Sequence, residues 1–195
     1  PLELHAADRG LGVSTPVTAY IGLGSNLDGP RERVEAALER LDAEPRCRVT
    51  AASTRYRNPA LTGPGVPAQP DYVNAVARLA TALEPLALLE ALQGIEAEQQ
   101  RRREAAVRWG PRTLDLDLLL YAERTLDSER LVLPHPELHR RAFALRPLAE
   151  IDPDAVVPGR GRAGELAAAV DASALEALER RCKVFPTDGA EVSPS

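Results

Sequence analysis

Within nine residues, Trp109-Gly110-Pro111-Arg112-Thr113-Leu114-Asp115-Leu116-Asp117, the chain sets down an aromatic plane, a cation and two carboxylates. The alternation Leu114-Asp115-Leu116-Asp117-Leu118 is that of a β-strand, where successive side chains point to opposite faces. The leucines then enter a core and both carboxylates emerge on one face, about 6.6 Å apart at a rise of roughly 3.3 Å per residue. Carboxylates that close repel each other unless a cation or strong donors lie between them. Mg²⁺ takes one or two carboxylates and completes its shell with phosphate oxygens and water, so the pair suits one ion or two. A D-x-D alone reads first as a solvated strand face, and it is the flanking residues that favour a site. Arg112 either projects toward a metal-bound phosphate or forms an ion pair with Asp115. Trp109 either stacks on an aromatic ligand or is a half-buried core residue.

Other candidates are open in the same way. Arg101, Arg102 and Arg103 end a long helix, where cations suit the helix dipole as well as they suit a phosphate. Gln93 and Glu96 lie one turn apart on that helix and face either a ligand or solvent. Gly22-Leu23-Gly24 lacks the third glycine of a dinucleotide fingerprint, and no G-x-x-x-x-G-K occurs, so neither a Rossmann nor a P-loop site is expected. His135 and His139 are four residues apart but lack the H-E-x-x-H order, and zinc is not expected.

These residues need elements to hold them. Val17–Leu23 is a β-branched and apolar run ended by Gly24-Ser25-Asn26, a strand and a turn. Pro30 opens a helix with Val34, Ala37, Leu38 and Leu41 at helical spacing. Arg46–Tyr56 reads as one strand with Val49, Ala51, Ser53 and Arg55 on one face, followed by a Pro- and Gly-rich loop from Asn58 to Pro70. Tyr72–Ala80 is a third strand. Pro85 starts a helix through Leu88, Leu92 and Ile95 to about Arg103, and Thr113–Tyr121 is a fourth strand. Leu131–Leu133 is extended, and helices are expected near Arg141–Glu150 and Gly164–Arg181. The order β-α-β-β-α-β predicts an α+β fold: a ferredoxin-like split βαβ sandwich, an antiparallel sheet with helices on one face, carrying a C-terminal extension. The other face is left for loops and ligand. Residues 1–15 read as a flexible leader, 16–185 as a single domain and 186–195 as a flexible tail.

Composition excludes some classes. No apolar run approaches the roughly 18–20 residues of a membrane span, and no signal peptide is legible, so a cytoplasmic protein is expected. Cys47 and Cys182 read as two reduced thiols. A net charge of −5 argues against a general nucleic-acid binder. Arginine clusters between Arg101 and Arg112 and between Arg130 and Arg146 instead suggest a small anionic ligand.

Several ordered motifs then converge: YIGLGSN (Tyr20–Asn26), YRNPAL (Tyr56–Leu61), QPDYVNAV (Gln69–Val76), Ile95-Glu96 followed by Arg101 and Arg103, WGPRTLDLDLL (Trp109–Leu119) and ERLVLPHPELHRRAF (Glu129–Phe143). Over residues 19–158 the chain resembles the 6-hydroxymethyl-7,8-dihydropterin pyrophosphokinase family. The resemblance implies a ferredoxin-like enzyme of folate biosynthesis. It would transfer the β,γ-pyrophosphoryl group of ATP to the pterin's hydroxymethyl oxygen and release AMP. Asp115 and Asp117 would then hold two Mg²⁺, with Arg101 and Arg112 as catalytic arginines. ATP contacts would come from Gln93, Glu96, Arg103, Trp109, Arg112, Leu118, Arg130, His135 and Arg141. The pterin would lie among Asn58, Pro59, Leu61, Tyr72, Asn74, Trp109 and Phe143. The partners so implied are these two small molecules, with no nucleic acid or membrane, and a monomer. The chain departs from the family pattern at Gln100, where glycine is usual, in a one-residue-longer Arg103–Arg108 stretch, and at Asn58 and Val132, where threonine is common. The altered arginine loop motivates an alternative, a ferredoxin-like nucleotide- or pterin-binding module with impaired catalysis.

Overall fold

Ile21 is fully buried between two neighbours that differ in character, Tyr20 and Gly22, and this alternation sets the plan of the whole sheet. The computed structural model describes residues 15–60, 63, 68–99 and 112–178. Val17–Ser25 (β1) is the central strand, as its β-branched and apolar content predicts. Asp28 and Gly29 both take positive φ, which turns the chain, and Pro30 then opens the helix Pro30–Asp42 (α1) at a position where its missing N–H is harmless. Val34, Ala37, Leu38 and Leu41 are the buried face of α1.

Two short strands follow, Cys47–Ala52 (β2) and Tyr56–Asn58 (β3), before the long strand Tyr72–Thr81 (β4) and the helix Pro85–Glu98 (α2). Asp115–Tyr121 (β5) pairs with β1 at one edge of the main sheet. Small pairs come next: Leu126–Asp127 (β6) with Val132–Leu133 (β7), then, after a 3-10 turn at Leu138–Arg140 and the helix Ala142–Ile151 (α3), Val156–Val157 (β8) with Gly161–Arg162 (β9). The helix Ala163–Ala169 (α4) and the strand Glu176–Ala177 (β10) end the described chain. The antiparallel sheet runs β10-β3-β4-β1-β5, with β2 also pairing β4.

One face of this sheet is fully packed. Ala19, Ile21 and Leu23 of β1, Leu79 of β4 and Leu116 and Leu118 of β5 meet Val34 and Leu38 of α1 and Leu88, Leu92 and Ile95 of α2. This is the α+β layer expected from the sequence. The extension adds what periodicity left open, a second core on the opposite face. There Tyr20, Val76, Leu119 and Leu120 pack under Leu145 and Leu148 of α3 and Ala163 and Ala167 of α4. Each leucine buried there contributes roughly 2–3 kcal/mol.

Two elements differ from expectation. Arg46–Tyr56 is not one strand. Val49 pairs with Leu79 but Ala51 with Arg78, so Thr50 is an extra residue, and the flipped parity sends Ala52 rather than Ala51 toward the core of Val49. The expected helix Gly164–Arg181 stops at Ala169. Asp171 accepts a 2.9 Å hydrogen bond from the Ser173 N–H, turning the chain, and residues 176–177 become a strand against β3. An open strand edge thus overrides the helix propensity of an alanine-rich segment.

Candidate active site

The carboxylates of β5 emerge beside an unusual stretch of β1. Asp115 pairs with Gly24 and Asp117 with Gly22, and Gly24 also pairs with Asn74 of β4. A Cβ on Gly24 would stand 2.9 Å from Asn74 Oδ1, and one on Gly22 would stand 3.3 Å from Leu119 Cδ2. The two glycines therefore form a floor without side chains beneath a cavity of about 300 Å³. As an incomplete dinucleotide fingerprint these glycines point to no site in the sequence. The signal was their spacing: two residues apart in a strand, they share one face.

Charge is concentrated at one end of this cavity. Arg112 NH1 lies 2.6 Å from Asp115 Oδ1, so the ion pair is formed. Burial works against the Arg112 charge, but Asp115 outweighs it and raises the guanidinium pKa. Burial raises the Asp117 carboxyl above its ordinary range and Asp115 adds to it, while His135, Arg141 and Arg112 partly offset both. His135 Nδ1 accepts a hydrogen bond from the Glu137 N–H at 3.2 Å. The neutral ring therefore carries its proton on Nε2, which faces Asp117 Oδ2 at 3.9 Å. Burial lowers the His135 pKa, with Asp117 opposing.

The donor set fits a hard divalent cation. Both carboxylates line the cavity, and among the described residues His135, Arg141 and Arg112 only partly offset the burial and the Asp115 charge that raise Asp117. Among the described residues no group of three or more His, Cys, Asp or Glu forms a metal cage. A cation held by Asp115 and Asp117 must then take its remaining oxygens from water or a ligand, which is how Mg²⁺ binds and how structural zinc does not.

The other end is neutral and flat. Asn58, Tyr72, Asn74 and Phe143 line it. Asn58 pairs across the sheet with Tyr72, and the Asn74 amide nitrogen donates to Asn58 Oδ1. Asn58 Nδ2 donates in turn to the Pro59 carbonyl at 2.9 Å. Paired amides of this kind can offer both donor and acceptor to the edge of a heterocycle. Phe143 stands in the first turn of α3, and the Arg141 guanidinium lies 5.7 Å from its ring centre, a cation–π contact at the junction of the two ends.

Asn26 ties the rim together. Its Oδ1 accepts from the Arg112 N–H at 2.8 Å, and its Nδ2 donates to Gln69 Oε1 and the Pro70 carbonyl, both at 3.0 Å. Ser25 Oγ donates to the Thr113 carbonyl at 2.5 Å. The Gly-Ser-Asn motif therefore fixes the start of β5 and the chain leading into β4.

Of the residues expected at the site, Asn58, Tyr72, Asn74, Arg112, Asp115, Asp117, His135, Arg141 and Phe143 come together around the cavity. Pro59 is exposed beside Asn58. Gln93, Glu96, Leu118 and Arg130 lie outside its lining. Gln93 is exposed, and Arg130 pairs with Glu90 at 2.9 Å on the surface. Leu118 belongs to the first core. Glu96 is buried, and its Oε1 accepts from the Leu116 N–H at 2.8 Å, fastening α2 to β5. Leu61, Arg101, Arg103 and Trp109 lie outside the described residues.

Residues 20–153 match the family described as 7,8-dihydro-6-hydroxymethylpterin-pyrophosphokinase. The 2-amino-4-hydroxy-6-hydroxymethyldihydropteridine pyrophosphokinase of Pseudomonas aeruginosa is 48% identical over 160 residues, 82% of this chain and 95% of the relative. The protein of the same name from Haemophilus influenzae is 48% identical over 142 residues, 73% of this chain and 86% of its own. Among solved structures, an HPPK-DHPS in complex with substrates aligns with a TM-score of 0.61 over 80% of this chain at 10% identity. A Plasmodium falciparum HPPK-DHPS triple mutant aligns with the same TM-score at 12% identity. This chain spans 43% and 45% of those two chains, and the likeness shows the fold alone.

Proposed function

This chain belongs to the 7,8-dihydro-6-hydroxymethylpterin-pyrophosphokinase family, and we propose that the cavity over Gly22 and Gly24 is where its two substrates meet. It is an ATP-dependent pyrophosphokinase of folate biosynthesis. The observation that carries the site assignment is the polarity of the cavity. Two carboxylates and Arg112, His135 and Arg141 stand at one end, amides and aromatic rings at the other, and a glycine floor lies between them.

In this reading the pterin lies against Phe143, with Asn58 and Asn74 reading its amide edge and Tyr72 beside them. The triphosphate occupies the charged end, and the β,γ-pyrophosphoryl group passes to the hydroxymethyl oxygen with release of AMP. Asp115 and Asp117 would hold the Mg²⁺, two ions in this reading, and the metal would supply charge neutralisation to phosphate oxygens. Arg112, anchored on Asp115, presents its remaining N–H groups to phosphate. The His135 Nε2–H serves as a neutral donor at the same place. Arg141 sits over the Phe143 ring, where it can hold phosphate while the ring holds pterin. Phosphoryl transfer depends mostly on positioning and charge, and these are what the two ends supply. Arg101, Arg103 and Trp109 complete the ATP side in this proposal, and the protein acts as a cytoplasmic monomer. No helix among the described residues is long and apolar enough to cross a membrane.

The test is AMP formation from ATP, Mg²⁺ and 6-hydroxymethyl-7,8-dihydropterin. The wild-type chain is expected to turn over, and Asp117→Ala to lose about 10³-fold or more in kcat while remaining folded. Full turnover by Asp117→Ala would remove the metal assignment. Tight binding of both ligands by the wild type without AMP would make the chain a binding module.

A further inference from the structure

The second core is joined to the site by a carboxylate outside the cavity lining. Glu150, near the end of α3, accepts three hydrogen bonds from one stretch of chain. Its Oε1 takes the Thr54 N–H at 3.0 Å and the Thr54 hydroxyl at 2.7 Å, and its Oε2 takes the Tyr56 hydroxyl at 3.0 Å. That stretch is where the sheet edge is weakest. β2 leaves β4 at Ala52, and β3 rejoins it at Tyr56 for three residues. Across the gap Ser53 substitutes for a strand, its N–H donating to the Val76 carbonyl and its Oγ accepting from the Val76 N–H, both at 2.9 Å.

The geometry is that of two rungs. Tyr56 and Asn58 are two residues apart in β3 and share a face. Phe143 and Glu150 are seven residues apart in α3, about two helical turns, and share a side of the helix. One rung, Tyr56 to Glu150, is closed by a hydrogen bond. The other, Asn58 to Phe143, is open and is the neutral end of the cavity. Helix α3 is the heavier body: Leu145 and Leu148 are fully buried, and Asp152, which follows it, accepts the Tyr20 hydroxyl of β1 at 2.5 Å. β3 is the lighter one: among the described residues its strand pairing is three residues with β4 and two with β10. Loosening the closed rung therefore moves β3 rather than α3.

We propose that Glu150 is a positioning residue for Asn58, setting the width of the slot between β3 and Phe143 in which the pterin is read. The identity of the slot's ligand rests on the reading given under Proposed function; the mechanical link from Glu150 to β3 does not. A carboxylate is suited to the task because all three partners donate and it only accepts.

The experiment compares wild type, Glu150→Ala, Glu150→Gln and Tyr56→Phe by steady-state kinetics and by hydrogen exchange of the β3 and α3 amides. Glu150→Ala is expected to raise the KM for pterin about 10-fold and leave the KM for ATP within about twofold. Exchange at residues 56–58 should rise, with α3 unchanged. Glu150→Gln, whose amide oxygen still accepts from Thr54, should recover most of the loss. Tyr56→Phe removes the bond to Glu150 Oε2, provides the folded case if Glu150→Ala does not fold, and should raise the pterin KM about threefold. Unchanged β3 exchange, or a lowered melting temperature with unchanged pterin KM, would overturn the proposal. If wild type turns over no pterin while β3 exchange still responds, it is the pyrophosphokinase reading that has failed.

Discussion

The face of the sheet turned away from α1 and α2 has two halves, built from the same three strands and treated in opposite ways. At one end Tyr20, Val76 and Leu120 lie buried beneath Leu145, Leu148 and Ala167, and Leu119 belongs to this core while also bordering the cavity. At the other, Gly22, Gly24, Asn74, Asp115 and Asp117 border a cavity. The frontier falls inside β5, between Asp117 and Leu119. Tyr20 pairs with Leu120 but Ile21 with Leu118, so Leu119 is an extra residue, and the bulge lets Leu119 and Leu120 both serve the second core. The closed half gains stability from buried apolar surface. The open half loses it, because Asp117 is partly desolvated against Asp115. One strand thus supplies both a core and a site, and the exchange of leucine for aspartate two residues apart divides them.

The sharpest way to break this contrast is Asp117→Asn. Activity should fall about 10³-fold or more, while the melting temperature without metal should rise by about 2–4 °C. The pH dependence has a definite sign. A carboxyl raised in the folded state binds its proton more tightly there than in the unfolded chain. Its ionisation therefore costs native stability, and the loss grows as pH rises from the usual carboxylate range through the folded value. Wild type should fall behind Asp117→Asn across that window in thermal melts, and parallel curves would show that the open half carries no such strain.

Next in size is Leu148→Ala in the closed half. Truncating a fully buried leucine should cost about 3 kcal/mol in urea denaturation, with little change in the KM for ATP of the folded enzyme. The smallest effects come from the floor, and they sharpen the frontier between the halves. Gly24→Ala should raise the pterin KM about fivefold, because its Cβ meets Asn74 Oδ1, on the same amide whose nitrogen donates to Asn58. Gly22→Ala meets the Leu119 side chain, its nearest methyl at 3.3 Å, and should change stability by less than about 1 kcal/mol. Equal effects at the two glycines would argue against a recognition role for Asn74.

Legibility followed the range of the forces involved. The parity of Asp115 and Asp117, the apolar faces of α1 and α2 and the strands β1, β4 and β5 are matters of local period and can be read directly, whereas the bulge and break that divide Arg46–Tyr56 cannot. The motif resemblance added the residues of the neutral end, Asn58, Tyr72, Asn74 and Phe143, which the structure brings together around one cavity. Glu96 shows where one-dimensional reading stops. Helical spacing left it facing either ligand or solvent, and the fold instead buries it against the Leu116 N–H. The stretch after Ala169 shows the same limit, since nothing in its alanine-rich composition announces that β3 offers an unpaired edge.

By itself, then, the sequence determined the α+β order, the two carboxylates on one strand face and the family. Each depends on residues close in the chain or on motifs in a set order. Only the tertiary structure decided that Gly22 and Gly24 lie beneath those carboxylates and that α3 and α4 close half of the same face. It also decided that Asp117 is held above its ordinary range and that Glu150 grips the strand bearing Asn58. The first, second and fourth depend on groups far apart in the chain, which meet only after the strands have paired; Asp117 is repelled by its near neighbour Asp115, but the burial that leads its shift comes from tertiary packing.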